Sequence, residues 1–257
     1  MTRVFVQDFK RSVLSNRFLL AVLGSTILYL ISVYDLGLKD AIRWGDKRHL
    51  LDYLGDAQTV TLMSLLPFAA VLPYGAGFAE DWEFHGYYYQ ISRTSSGRYR
   101  LSKILAAMLS GGLVMVLSML AFLLIILPFA ELNPAAVSTH FSYMETIVNK
   151  GQWGRYFSFQ LALSFPFGML WACASMLLST FTTSRSMIYA VPMILNAVLN
   201  RVAFLLHFPG LYAVSFGMVD AHSPIGAFIT CSAILAVPII IFSFLFMHQS
   251  KRRLIDA

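Results

Sequence analysis

The sequence predicts an all-α membrane protein with six transmembrane helices, a single transmembrane domain over residues 1–257. Three observations predict it. Of the 257 residues, 58% are hydrophobic and only 12% are charged, against about 25% charged in an average soluble domain, and the mean hydropathy is +0.67. Uncharged runs near the roughly 20 residues that cross a hydrocarbon core recur along the chain. Lys and Arg flank these runs instead of forming one solvated patch, so the net charge of +6 reads as a topology signal and not as a nucleic-acid footprint.

The first element is residues 1–16, read as an amphipathic interfacial helix. Phe5, Val6, Phe9 and Val13 fall within about 100° of helical arc, and Arg3, Lys10 and Arg11 lie between about 140° and 240°. An apolar face beside a basic one suits a helix lying in anionic headgroups, and it equally suits a short topology signal. The spans follow at 18–34, 57–79, 104–130, 156–184, 186–207 and 221–249. The first lacks an A-x-A-like cleavage site after its apolar run and is read as a retained helix.

With six spans, both termini fall on one side. That side carries twelve Lys and Arg, in residues 3–17, 93–103, Arg185 and 251–253, and the other side carries seven. Positive loops resist translocation, so the richer side and both termini are expected in the cytoplasm. Ala106, Ala107, Ser110 and Gly111 in the third span, and Trp171 to Ser175 in the fourth, offer small faces for close helix packing.

The segment from residue 80 to 103 carries the most information. Acids at its start favour a helix N-terminus, an aromatic-rich stretch follows, Ser95-Ser96-Gly97 reads as a stop, and basic residues lead into the third span. A helix this short is not stable alone in water, so its aromatics must dock on headgroups or on a partner protein.

Here the chain resembles the permease subunits of ABC-2 type ABC transporters, through Glu83-x-x-Gly86-x-Tyr88 after the second span, then Arg93, then Tyr99-Arg100-Leu101-Ser102-Lys103. The resemblance implies that residues 80–103 hold a cytoplasmic coupling helix seated in a groove of a separate ABC ATPase. It implies coupling roles for Glu83, which would pair with a base of the ATPase or of this loop, for Trp82, Phe84, Tyr87 and Tyr88 as groove aromatics, and for Arg93. It further implies a second permease subunit, identical or related, and ATP and Mg bound in the ATPase with no cofactor bound by this chain. The setting it implies is the plasma membrane of a bacterial cell, with membrane lipid as a partner and export as the activity; the family's cargoes span drugs, antibiotic peptides, lipids and polysaccharides, and for a chain of this length a peptide or drug-like amphiphile is the expected one. The apolar, Pro209-Gly210-broken stretch after the fifth span would be a re-entrant segment before the sixth.

In that layout the second and fifth spans line the substrate pathway. Tyr189, Met193, Asn196 and Asn200 share one helix face, as do Thr61, Ser64 and Phe68. Polar groups inside a bilayer need protein or water beside them, and interhelical Asn hydrogen bonds are the other reading of the first stripe. Arg201 either snorkels to headgroups or guards the exit.

The chain has no GxxxxGK[ST] loop, so ATP hydrolysis is expected elsewhere and this chain is not expected to be an enzyme. GxSxG and HExxH are missing too, the acids beside the spans sit at their ends, and Cys173 and Cys231 lie inside apolar runs with no metal-ligand spacing. An ATP-independent six-span channel or secondary carrier is the alternative. It requires a charged or carbonyl-lined midplane pathway, which the sequence does not display.

Overall fold

A computed structural model describes residues 2–45, 47–59, 64–131, 152–206 and 224–255. Apart from a two-residue parallel pairing of β1 (Arg48–His49) with β2 (Ala130–Glu131), the described elements are helical. Four helical stretches are long and apolar enough to cross a membrane: Asn16–Trp44, Ser96–Phe129, Trp153–Leu178 and Phe228–Leu254.

Helix α1 (Thr2–Val13) is followed at once by α2 (Asn16–Val33). Ser15 separates them, its hydroxyl accepting the Phe18 amide at 3.1 Å as an N-cap. The expected first span ended at Tyr34, but the helix runs on through a π turn (Tyr34–Leu38) into α3 (Lys39–Trp44). Gly37 makes the turn at φ 141°, and the Arg48 side chain fills the place where a Cβ would stand.

The expected second span, 57–79, is not one helix. α4 (Leu50–Thr59) begins before it, residues 60–63 lie outside the described residues, α5 (Leu66–Val71) is a turn and a half, and α6 (Gly77–Glu83) follows a turned segment at 72–76. Pro73 supplies no amide hydrogen to continue α5. Gly75 sits so close to α5 and to Ser175 that a Cβ would lie 2.5 Å from the Ser175 hydroxyl.

After α6 come α7 (Gly86–Arg93) and α8 (Ser96–Ile126). Of the expected Ser95-Ser96-Gly97 stop, only Ser95 lies in the break between α7 and α8. The break starts at Thr94, and Ser95 is the extended N-cap of α8, which starts eight residues before the expected third span. At 31 residues α8 is about 46 Å long, so its first turns project past a hydrocarbon core of about 30 Å.

The remaining helices are α9 (Trp153–Leu178), α10 (Arg185–Leu206) and α11 (Pro224–Ile255), each with one internal proline. α11 carries Lys251, Arg252 and Arg253 in its last turns, past the expected end at Gln249. The expected re-entrant segment is largely residues 207–223, which lie outside the described residues, as does Thr61.

α8 and α9 form the most extensive helix pair, and α9 also packs on α11. The small faces expected on the third and fourth spans meet here. A Cβ on Gly111 would stand 2.6 Å from the Ala172 Cβ and 2.8 Å from the Ala70 and Gly168 carbonyl oxygens, so the backbones approach as small-residue packing allows. The outward sides of α2 (Leu19, Leu23, Ile27, Ile31) and α11 (Ile229, Val237, Ile240, Phe244) are apolar and exposed, as suits a lipid-facing or partner-facing surface.

Candidate coupling end of the bundle

One end of the bundle gathers the N-termini of α2, α8 and α10 and the C-termini of α9 and α11 around the α6–α7 segment. Side chains from four of these ends tie to it or to each other. Arg17 at the start of α2 donates to Glu80 at 2.6 Å. Arg185 at the start of α10 meets Glu83 at 3.0 Å. Arg253 near the end of α11 donates to the Ser179 and Thr180 carbonyls at 3.0 and 2.7 Å, capping α9, and its guanidinium lies 4.5 Å over the Trp82 ring. Arg100 in α8 donates to the Met247 carbonyl of α11.

Between α6 and α7 the chain bends at His85, a non-glycine residue at φ 53°. The bend folds the aromatic stretch on itself: Trp82 stacks on Tyr87 at 4.7 Å and Tyr87 on Tyr88 at 4.2 Å. The Tyr88 side chain, hydrogen-bonded to Tyr87, raises the Tyr87 phenol above its ordinary value. Tyr87 is buried and Trp82 partly buried, whereas Phe84, Tyr88 and Tyr89 are 71%, 54% and 76% exposed. The four aromatics expected to face a partner therefore divide into an inner pair, Trp82 and Tyr87, and an outer pair, Phe84 and Tyr88. Tyr89 joins the outer pair. Arg185 sits 6.0 Å over Phe84. Arg93 closes α7, and its side chain is outside what the structure describes.

Beneath this segment lies a buried polar cluster. Lys103 Nζ is 3.0 Å from Asp8 Oδ1 and 2.6 Å from Asp81 Oδ2, with the Lys103 side chain 0% exposed. Lys103 also donates to the Tyr74 hydroxyl at 2.8 Å, and Tyr74 donates to Asp8 at 2.8 Å. Ser102 donates to the other Asp8 oxygen at 2.6 Å, and Tyr99 donates to Asp81 at 3.0 Å. At the edge, half-exposed Arg11 reaches Asp81 at 3.5 Å and Glu80 at 3.8 Å. Three acids (Asp8, Glu80, Asp81) thus face three bases (Arg11, Arg17, Lys103), the balance a buried ionic group needs.

Tyr99 and Lys103 are one helical turn apart on α8 and share a face, a pairing the sequence contains. Asp8 falls between Arg11 and Phe5 on the α1 helical wheel, about 60° from each, and gives no such signal. Its partners are far along the chain, so the sequence alone does not name them.

The residues expected to line a pathway are partly brought together. Phe68 on α5 meets Tyr189 on α10 edge to face at 6.0 Å. Met193 and Asn200 are partly buried, Ser64 lies just before α5, and Asn196 is buried with its side-chain oxygen unpartnered.

Among the described residues no group of three His, Cys, Asp or Glu could hold a metal. The end presents a short aromatic segment joined by charged contacts to the ends of the long helices. Comparison with protein-family models, with curated proteins and with solved structures finds no match.

Proposed function

We propose that this chain is the transmembrane permease subunit of an ATP-driven exporter of the ABC-2 type, with the α6–α7 segment as its coupling element. One observation carries the reading. A segment that leaves Phe84, Tyr88 and Tyr89 exposed is fixed through Trp82 and Glu83 to Arg253 and Arg185, on two of the helices that begin or end beside it. A push on its outer face is delivered to α9, α10 and α11 together.

In this reading α1 lies along the cytoplasmic surface, both termini are cytoplasmic, and α4 to α6 form a broken second span with α10 as the fifth. The exposed bases Lys10, Arg98, Lys251 and Arg252 fall at the cytoplasmic end, as the positive-inside rule requires. Two permease subunits and two ATPase subunits make the transporter. ATP and Mg are bound by the ATPases, whose closure moves the α6–α7 segments and turns a pathway beside Phe68, Tyr189 and Asn196 from inward to outward facing. The cargo class is an amphiphile such as a peptide or drug-like molecule, suited to a path lined by aromatic, thioether and amide groups.

The test is affinity purification of the tagged chain from its native membranes, with ATP hydrolysis assayed and the co-purifying subunits sequenced. A near-stoichiometric subunit with a GxxxxGK[ST] loop supports the reading. A chain that purifies alone from gentle detergent and from nanodiscs, with no ATPase, overturns it in favour of an ATP-independent carrier.

A further inference from the structure

Among the described residues, Lys103 is the one side chain that forms ion pairs with both Asp8 on α1 and Asp81 on α6. Helix α1 packs chiefly on α8 and α2, and its direct charged contacts to α6 are those of Arg11, which is more than half exposed and therefore weak. The buried link between α1 and the α6–α7 segment is the shared ammonium. An ammonium paired with one carboxylate is already neutral, so a second carboxylate gains less from it and repels the first. If either carboxylate withdraws, Lys103 remains in a neutral pair with the other, and no buried charge is stranded. Withdrawal of both would strand it.

The surrounding groups fit this exchange. When α6 moves away, Asp8 keeps Lys103, Tyr74 and Ser102, three donors to its two oxygens. The bases that lose partners are Arg11 and Arg17, both of which already reach water. When α1 moves away, Asp81 keeps Lys103, Tyr99 and Gln90.

We propose that Lys103 is an exchange pivot for which α1 and the α6–α7 segment compete, so that withdrawal of the segment tightens the N-terminal helix and release of the helix tightens the segment. The coupling is negative and, being thermodynamic, reciprocal. It gives α1 a role beyond membrane anchoring: its position is set by the state of the segment. The inference stands whether or not an ATPase drives the segment.

The experiment uses the full chain in nanodiscs, with Cys173 and Cys231 replaced by Ala and one reporter cysteine at Ser12→Cys on α1 or Ala79→Cys on α6, both positions buried. The rate of reaction with a water-soluble maleimide reads the opening of each element. Asp81→Asn should slow labelling of the Ser12→Cys reporter about five-fold or more, the lower end of ordinary couplings between sites. Asp8→Asn should slow labelling of the Ala79→Cys reporter by a similar factor. Arg11→Gln, which removes only the surface link, should leave the sign of both effects unchanged. Faster or unchanged labelling in either reporter whose variant folds overturns the pivot, for it would mean that the two elements support each other or do not communicate. The two reporters are independent, so a variant that fails to fold still leaves the other arm to decide.

Discussion

Glu83 at the end of α6 and Arg185 at the start of α10 form an ion pair at 3.0 Å across the surface of the bundle end. The pair joins the loop after the second predicted span to the loop before the fifth. The sequence-based expectation gave Glu83 a base of the ATPase or of its own loop; within this chain it pairs outside its loop, with a base about a hundred residues away. Both side chains are close to half exposed, so solvent screens the pair and its share of stability is about 1 kcal/mol or less. Glu83→Gln and Arg185→Gln should therefore leave thermal unfolding nearly unmoved. In the purified complex each should lower ATP-dependent transport several-fold, and the charge exchange Glu83→Arg with Arg185→Glu should recover part of it. A large drop in the melting temperature from either single change would make the pair structural and not a transmitting contact.

Lys103→Met should behave differently, because it strands two buried carboxylates. Breaking a buried ionic group by removing one partner typically costs about 3–5 kcal/mol, so the folded yield and the melting temperature in detergent should fall sharply. Adding Asp8→Asn and Asp81→Asn to Lys103→Met removes the stranded charges and should restore most of the loss. If the triple variant is no more stable than Lys103→Met, the side-chain volume of Lys103 matters more than its charge.

Gly111 is the contact on which the α8–α9 crossing rests, and Gly111→Ala places a methyl group where the Ala172 Cβ and two backbone oxygens already are. Overpacking of this kind costs about 1–3 kcal/mol. Ala172→Gly removes one of the three obstacles, so the double variant should recover only part of the stability lost by Gly111→Ala in a chemical or thermal unfolding series. Full recovery would show that the backbones can move apart at no cost.

Asn196 has a buried side-chain oxygen without a partner, and an unmade hydrogen bond of this kind costs about 1–3 kcal/mol. Asn196→Leu should raise the melting temperature while lowering transport, since the amide is then removed from the face shared with Tyr189 and Met193. A variant that is destabilised would place a bound partner on the amide in the folded protein and remove it from the pathway.

Much of the helical architecture was legible in hydropathy alone, because apolar runs of α2, α8, α9 and α11 are long and nearly free of charge. The small-residue crossing of α8 on α9 was legible as well, since Gly111 and Ala172 both lie in runs of small side chains. What hydropathy misread was the second span. Its apolar content is continuous through residue 79, but Pro73 and Gly75 break the backbone there, and a transfer scale does not register a missing amide donor or a close approach. The aromatic stretch at 82–88 was legible as part of a short helical segment, yet which rings turn inward depends on the αL bend at His85. The buried cluster was hidden for a different reason. Asp8, Asp81 and Lys103 each look like ordinary flanking charges, and only the packing of α1 on α8 brings them together.

The central proposal is that an ATP-hydrolysing subunit docks on the outer face of the α6–α7 segment. The most direct measurement is photo-crosslinking in native membranes from a benzoylphenylalanine placed at Tyr89, with the same probe at Trp44, an exposed aromatic at the far end of α2 and α3, as the control. Docking requires that the Tyr89 probe capture a subunit carrying a GxxxxGK[ST] loop and that the Trp44 probe not do so. Lipid adducts alone from the Tyr89 probe, with no protein captured, would contradict it and turn the exposed aromatics into membrane anchors.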